Sequence, residues 1–147
     1  MEIDELVRVL SRHSKWLESG GEEGARACLE WAYLVGANMQ NADLRRAAAS
    51  HVFLMGGDLR GADLRLIEMR WAFLKGADMR NTDLSGADLS WCDLRETKLQ
   101  GALLKNANLE GAEMDGAQLE GAQLDGANIR WAHGLDISIV TNCKQSN

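Results

Sequence analysis

The stretch ALLKNANLEGAEMDGAQLEGAQLDGANI, from Ala102 to Ile129, decides the fold. It repeats a five-residue unit in which alanine precedes a polar residue, a large aliphatic residue and two further residues, mostly polar or glycine. In steps of five from Leu34 to Ile129, the large position holds Leu, Met or Ile everywhere except at Ala49. The chain therefore carries a strict period of five over most of its length.

A period of five matches neither an α-helix, which repeats every 3.6 residues, nor a half-buried strand, which alternates. It fits a short extended segment whose alanine and large residue point inward, followed by a bend that suits glycine or asparagine. One such unit cannot bury its apolar side alone, so successive units must stack around a continuous core. With 15 glycines, no proline and 5% aromatics, we expect that core to be narrow and aliphatic.

Individual units resemble those of the pentapeptide-repeat family. The clearest are Ala37-Asn38-Met39, Ala42-Asp43-Leu44, Ala62-Asp63-Leu64, Ala87-Asp88-Leu89 and Ala107-Asn108-Leu109. The resemblance implies an all-β solenoid in which four units form one square coil, wound into a right-handed quadrilateral parallel β-helix. We expect an N-terminal α-helical cap over residues 1–30, the pentapeptide-repeat β-helix over 31–140 and a C-terminal tail over 141–147.

Most aromatic side chains share a second register, which is independent of the period of five. If one coil takes four units, side chains separated by one coil lie above one another at about 4.8 Å. The residues concerned are Trp31, Tyr33, His51, Phe53, Trp71, Phe73, Trp91 and Trp131. They fall at outward positions and predict an apolar stripe on the surface. The rings could simply stack along the corner, lie beneath the N-terminal segment, or form an interface for another chain, since large exposed apolar patches mark contact sites.

The N-terminal residues have a different pattern. Apolar residues from Ile3 to Leu17 follow helical spacing and predict a helix from about Glu2 to Leu17. A second short helix is expected from Glu22 to about Glu30. Because the open end of a solenoid exposes its core and unpaired backbone groups, both helices are interpreted as the cap.

The C-terminal end differs in two ways. The repeat weakens after Ile129, and a last partial coil to about Val140 would be open to end-to-end dimerisation. Acidic residues also collect there without a basic neighbour. They are Glu110, Glu113, Asp115, Glu120 and Asp125. This acidic end is either a solvated surface or a site for a partner.

Nothing in the sequence indicates catalysis. The three histidines lie far apart, and three cysteines without paired spacing argue against disulfides and zinc. We therefore predict no catalytic residues, no metal and no cofactor. The chain lacks a signal-like start and a run of apolar residues long enough for a membrane span, which predicts a cytoplasmic protein. Its net charge of -6 gives no reason to expect direct binding of nucleic acid.

Two functions from different classes remain. The first is a non-enzymatic protein-interaction or structural scaffold that presents the aromatic stripe and the coil ends to a protein partner, a second copy of the chain included. The alternative follows from the resemblance alone: some pentapeptide-repeat proteins mimic DNA and bind topoisomerases such as DNA gyrase. This chain is locally basic from Asn41 to Arg80, which departs from that pattern.

The DNA-mimic hypothesis predicts inhibition of DNA gyrase. Micromolar amounts of the protein should reduce the supercoiling of a relaxed plasmid, because the acidic end would compete for the DNA-binding surface. The scaffold hypothesis predicts unchanged supercoiling in the same assay. An unchanged rate removes the mimic.

Overall fold

The computed structural model describes residues 1–136 and residue 138. It has one α-helix in that part, α1 (Ile3–Glu18), followed by stacked coils in which no strand is longer than a single β-bridge. The bridges are all parallel, and each joins residues one coil apart, from Cys28 with Ala48 to Glu113 with His133. A coil therefore has four sides of five residues, as the resemblance implies.

The bridges lie in four columns, one for each face of the solenoid. Face 1 contains Tyr33, Phe53, Phe73, Asp93, Glu113 and His133. Face 2 contains Asn38, Asp58, Asp78, Lys98 and Gln118. Face 3 contains Asp43, Asp63, Asp83, Leu103 and Gln123. Face 4 contains Cys28, Ala48, Glu68, Asp88, Asn108 and Asn128.

Each side of a coil is held by hydrogen bonds to the coils before and after it. On face 1, the amide of Phe53 donates to the carbonyl of Ala32 (2.9 Å), and the carbonyl of Phe53 accepts from the amide of Leu34 (2.8 Å). A turn then closes the corner, with the amide of Ala37 donating to the carbonyl of Leu34 at 3.0 Å. The second turn residue, Gly36, has φ +68°, the left-handed conformation of a type II turn.

Inward side chains form the core in two alternating rows, large and small. Leu59, Leu64 and Met69 are fully buried, as is the small Ala77. Two of the alanine slots hold threonines, Thr82 and Thr97. The hydroxyl of Thr97 donates to the carbonyl of Leu94 at 2.7 Å, and that of Thr82 bonds in the same way to Met79. These hydroxyl groups can lie in the core because each finds a backbone carbonyl acceptor in its own turn.

Helix α1 forms within one residue of its predicted bounds and packs on the first coil. Leu6 and His13 are its buried side chains, whereas Ile3 and Val7 are 79% and 59% exposed. The N-terminal amino group lies 3.3 Å from the carbonyl oxygen of Tyr33 on face 1. The helix contacts the other side of the coil through His13. None of the helical structure in the described residues has the length and apolarity for crossing a membrane.

The second predicted helix is wrong. Residues 22–30 are irregular, and β-bridge pairing begins at Cys28, ahead of Trp31. Gly20, Gly21 and Gly24 all have positive φ, which an α-helix does not tolerate, and Leu29 already occupies a large core slot. The segment is a connection that brings the chain from the end of α1 into the first coil.

His13 fixes α1 to the solenoid. Its Nδ1 accepts the amide of Ala27 at 3.0 Å, so the ring proton lies on Nε2, which donates to the carbonyl of Arg45 at 3.1 Å. The ring also stacks on Trp16 at a centroid distance of 5.6 Å. Burial lowers the pKa of His13 below its ordinary value, and the carbonyl of Arg45 offsets only part of that effect. No pattern in the sequence singles out this residue.

The expected last partial coil is only partly visible. Ile137, Ile139 and Val140 lie outside the described residues, as do the expected tail, 141–147, and Cys143. Gly134 takes the place of a large core residue, with φ +72° and the backbone of Asp115 directly against it.

Gly24→Ala should destabilise the protein more than Gly36→Ala. Both residues have left-handed φ, +76° and +68°, so both substitutions carry the same backbone strain of about 1–2 kcal/mol. A Cβ at Gly24 would lie 2.2 Å from the carbonyl oxygen of Arg12, whereas nothing lies within 4 Å at Gly36. The free energy of unfolding in urea measures the difference. Equal losses would contradict the close packing of this connection against α1.

The stability of the fold should fall below pH 6.5, the ordinary pKa of histidine. The folded state holds His13 neutral with a lowered pKa, so the unfolded chain binds the proton more tightly. This contribution is complete above pH 6.5 and is lost as the pH falls towards the folded pKa, by up to about 1.4 kcal/mol per pH unit.

Urea unfolding at pH 7.5 and 5.5 tests this for the wild type, His13→Gln and His51→Gln. Glutamine at position 13 can keep both hydrogen bonds without titrating, so its loss of stability between the two pH values should be smaller. His51→Gln is the control and should behave as the wild type. The role of His13 is refuted by identical losses in all three.

Candidate functional site

The aromatic corner is the turn column between face 4 and face 1. It contains Trp31, His51, Trp71, Trp91, Gly111 and Trp131. Beside it on face 1 lie Tyr33, Phe53 and Phe73, and the two groups together are called the aromatic face. Trp31 is 64% exposed, and Tyr33, whose carbonyl accepts a hydrogen bond from the N-terminal amino group, is 65% exposed. The alternative in which the N-terminal segment covers the rings is therefore wrong.

The rings stack at the spacing of the coils, as the sequence predicts. Trp31 and His51 are 4.0 Å apart and parallel within 3°, and Phe53 and Phe73 are 4.7 Å apart within 5°. Aromatic pairs of this kind contribute about 0.5–1.5 kcal/mol beyond the area that they bury. Stacking covers the flat surfaces of the rings and leaves their edges in solvent.

Gly111 does not interrupt the aromatic corner. The ring of Trp91 lies over it, and a Cβ at Gly111 would be only 2.4 Å from that ring. Trp91 in turn contacts Trp131, two coils further along, at 6.3 Å between ring centroids. The guanidinium of Arg130 lies 4.8 Å from the centre of the Trp131 ring, a cation–π distance. The sequence alone showed a gap here, which the ring of Trp91 fills.

All the residues that carry a ring at the aromatic corner have a left-handed backbone conformation. The φ values of Trp31, Trp71, Trp91 and Trp131 lie between 58° and 60°. At the same position of the other three corners, glycine or asparagine occurs far more often. A side chain in this conformation costs about 1–2 kcal/mol, and such outliers often mark functional sites. The aromatic corner therefore keeps bulky residues where the backbone favours glycine.

Face 1 becomes charged towards its C-terminal end. Asp93 and Glu113 continue the column of Phe53 and Phe73, and Arg95 contacts both carboxylates, at 2.7 and 3.4 Å. His133 ends the described column and is exposed. The apolar part of face 1 thus belongs to the first three coils, whereas the tryptophans run the full length of the described solenoid.

The structure does not gather the five acidic residues of the C-terminal end into one patch. Glu110, Asp115, Glu120 and Asp125 lie at four successive corners and point to four different sides. Glu110 accepts a hydrogen bond from Asn128 at 3.1 Å, while Glu113 pairs with Arg95 as described above. The acidic end is a ring around the solenoid, not a single surface.

A repeated Asp-x-Arg pair was largely missed from the sequence. In each pair the arginine makes two hydrogen bonds to the aspartate two residues before it, as in Arg65 with Asp63 at 2.8 and 2.6 Å. The pairs are Asp43 with Arg45, Asp58 with Arg60, Asp63 with Arg65, Asp78 with Arg80, and Asp93 with Arg95.

These pairs offset the repulsion between stacked aspartates. Arg45 and Arg65 each reach the aspartate of the next coil as well, at 3.6 and 3.8 Å. Hydrogen bonds from the arginines hold the pKa of Asp78 and Asp93 below the ordinary range. Exposed pairs of this kind contribute about 0–1 kcal/mol each, so they chiefly make the surface compatible with the stack.

Reactive groups are placed apart from one another. Cys92 is buried in an alanine slot, where its Sγ donates to the carbonyl of Met69, and burial raises the pKa of its thiol to about 12. Cys28 is exposed on face 4. Among the described residues, no group of His, Cys, Asp or Glu has the arrangement to hold a metal ion.

Comparison with protein families identifies the repeats. The model for pentapeptide repeats matches eight copies, over residues 27–65, 68–101 and 92–130. The chain belongs to the pentapeptide-repeat family. Its members form right-handed quadrilateral β-helices and are generally structural or interaction proteins without enzymatic activity. This agrees with the four-sided coils of this pentapeptide-repeat protein.

Solved structures give the same fold. A pentapeptide-repeat protein from the thylakoid lumen of Arabidopsis thaliana is 31% identical, with a TM-score of 0.53, over 62% of this chain and 67% of that one. Rfr23 from the cyanobacterium Cyanothece 51142 is 24% identical, with a TM-score of 0.66, over 92% and 94%. A search of curated proteins found no significant match. A cytoplasmic location stays a prediction.

Proposed function

We propose that this pentapeptide-repeat protein is a non-enzymatic scaffold that binds a protein partner through its aromatic face. The observation that carries the proposal is the exposure of large rings at left-handed positions. Trp71 is 50% exposed and Trp131 is 59% exposed, and each sits where glycine would relieve strain. Stacking stabilises the rings against one another but does not require tryptophan at the surface.

The scaffold presents these rings in a rigid arrangement. Every corner is held by a turn and by hydrogen bonds to adjacent coils, so the rings keep the coil spacing before a partner arrives. Groups that are ordered in advance lose little conformational entropy on binding. Tryptophan and tyrosine are also the residue types that most often dominate binding energy at protein interfaces.

The N-terminal helix has a separate role in this proposal. We assign α1 as a cap that shields the first coil, because Leu6 and His13 bury themselves there while the aromatic corner stays uncovered. Shielding this end limits unwanted pairing of the open coil with other chains. The sides of the solenoid then remain as the surface for recognition.

Replacing Trp71 and Trp91 with glycine should weaken partner binding without unfolding the protein. Glycine removes strain of about 1–2 kcal/mol per site and sacrifices stacking of about 0.5–1.5 kcal/mol, so the free energy of unfolding should change little. Copurification from the native cell, quantified by mass spectrometry, should show partners of the wild type reduced about tenfold or more in the variant.

Leu66→Gly is the matched control. Leu66 is 50% exposed and has φ 58°, but it lies at the corner between faces 3 and 4. The substitution has the same backbone geometry and also removes an exposed apolar side chain, and it should retain the partners of the wild type. An identical partner set for all three proteins would refute the aromatic face as the binding surface.

A further inference from the structure

We infer that the aromatic corner pairs with the same corner of a second copy, with the two solenoids antiparallel. This inference rests on the proposed function and names its partner. Along the corner the residues read Trp, His, Trp, Trp, Gly, Trp, from Trp31 to Trp131. Read from the other end, the tryptophans occupy the same places. The corner is therefore complementary to itself when one copy is reversed.

The geometry of a two-fold axis makes that symmetry useful. If the axis lies between the two corners and perpendicular to the solenoids, each column faces the same column of the partner in reverse order. Trp31 then lies opposite the partner's Trp131, and Trp71 opposite the partner's Trp91. His51 faces the partner's Gly111, over which the ring of the partner's Trp91 lies. Sliding one copy by one coil in either direction leaves only one tryptophan row matched with itself.

Charges beside the corner favour the same orientation. The residue before each corner position is Glu30, Ser50, Arg70, Ser90, Glu110 and Arg130 in turn. In the antiparallel pair, Glu30 faces the partner's Arg130, Arg70 faces the partner's Ser90, and Glu110 faces the partner's Ser50. In a parallel pair the two-fold axis would run along the solenoids, so Glu30 and Arg130 would lie at opposite ends of the interface and could not meet.

The column on face 1 agrees. Antiparallel pairing sets Phe73 against the partner's Asp93 and Phe53 against the partner's Glu113, so no two carboxylates of this column meet. Two like-charged contacts remain, Lys75 with the partner's Arg95 and, on face 4, Glu68 with the partner's Asp88. Each of these groups is already paired within its own chain: Lys75 with Glu96 at 3.2 Å, Arg95 with Asp93 at 2.7 Å, Glu68 with Arg26 at 2.7 Å, and Asp88 with Arg70.

Charge reversal at the two ends of the corner tests the orientation. Sedimentation velocity over a concentration series should show that Glu30→Arg and Arg130→Glu each weaken the wild-type dimer, by about tenfold, because both symmetric contacts become like-charged. The double variant should recover wild-type association. An equimolar mixture of the two single variants should also recover association. In the mixed dimer, a chain with arginine at both ends of the corner meets a chain with glutamate at both ends, so both end contacts pair opposite charges. Glu120→Arg, on a distant corner, is the control for net charge and should match the wild type.

Each result decides the inference. A chain that stays monomeric at all concentrations overturns self-pairing, and so do single variants that associate as the wild type or a double variant that fails to recover. The proposed function is tested separately by the partners of the Trp71→Gly, Trp91→Gly protein. Suppose that the wild type is monomeric and that a partner is lost from the Trp71→Gly, Trp91→Gly variant but not from Leu66→Gly. The second copy is then refuted as the partner, and the interaction scaffold is retained.

Discussion

Hydrogen bonding between successive coils is the constraint on which the rest of this structure depends. The sides are too short to form independent strands, so most of the hydrogen-bonded amides donate to a carbonyl one coil away, while those of the alanine slots close the turns within their own coil. Leu34 and Phe53 illustrate this, since each satisfies a group of the adjacent coil. Burying such groups without partners would cost more than the core gains. All coils must therefore have the same length, and like positions must stack on like.

Because all coils have the same length, residues one coil apart form columns. This explains which features could be predicted from the sequence. The period of five identifies inward residues such as Leu64 and Leu84, and one coil of separation identifies the stacked rings. Both predictions need only the repeat. Two features that depend on the reach of one side chain were not predicted: the tilt of Trp91 over Gly111, and the bidentate contact of Arg65 with Asp63. The spacing of aspartate and arginine by two residues was a usable signal for the second.

The N-terminal region shows where the repeat gives no help. Residues 22–30 contain apolar residues at spacings that suit a short helix, but the positive φ of the nearby glycines and the core slot of Leu29 prevail. His13 is similar, because its role arises from the docking of α1 on the first coil and not from local sequence. Tertiary contacts override local patterns most readily where a chain changes from one architecture to another.

The position of Trp91 over Gly111 has a counterpart at other corners, where a larger residue leans over a glycine one coil later: Asn41 over Gly61, Leu66 over Gly86 and Asn106 over Gly126. The tolerance of a corner to mutation is therefore set by a residue distant in sequence. Enlarging one of these glycines requires its predecessor to shrink or to turn its side chain flat. Evolutionary drift on the outside of this rod should proceed by coupled exchanges, and a binding surface grafted onto it would have to be designed one column at a time.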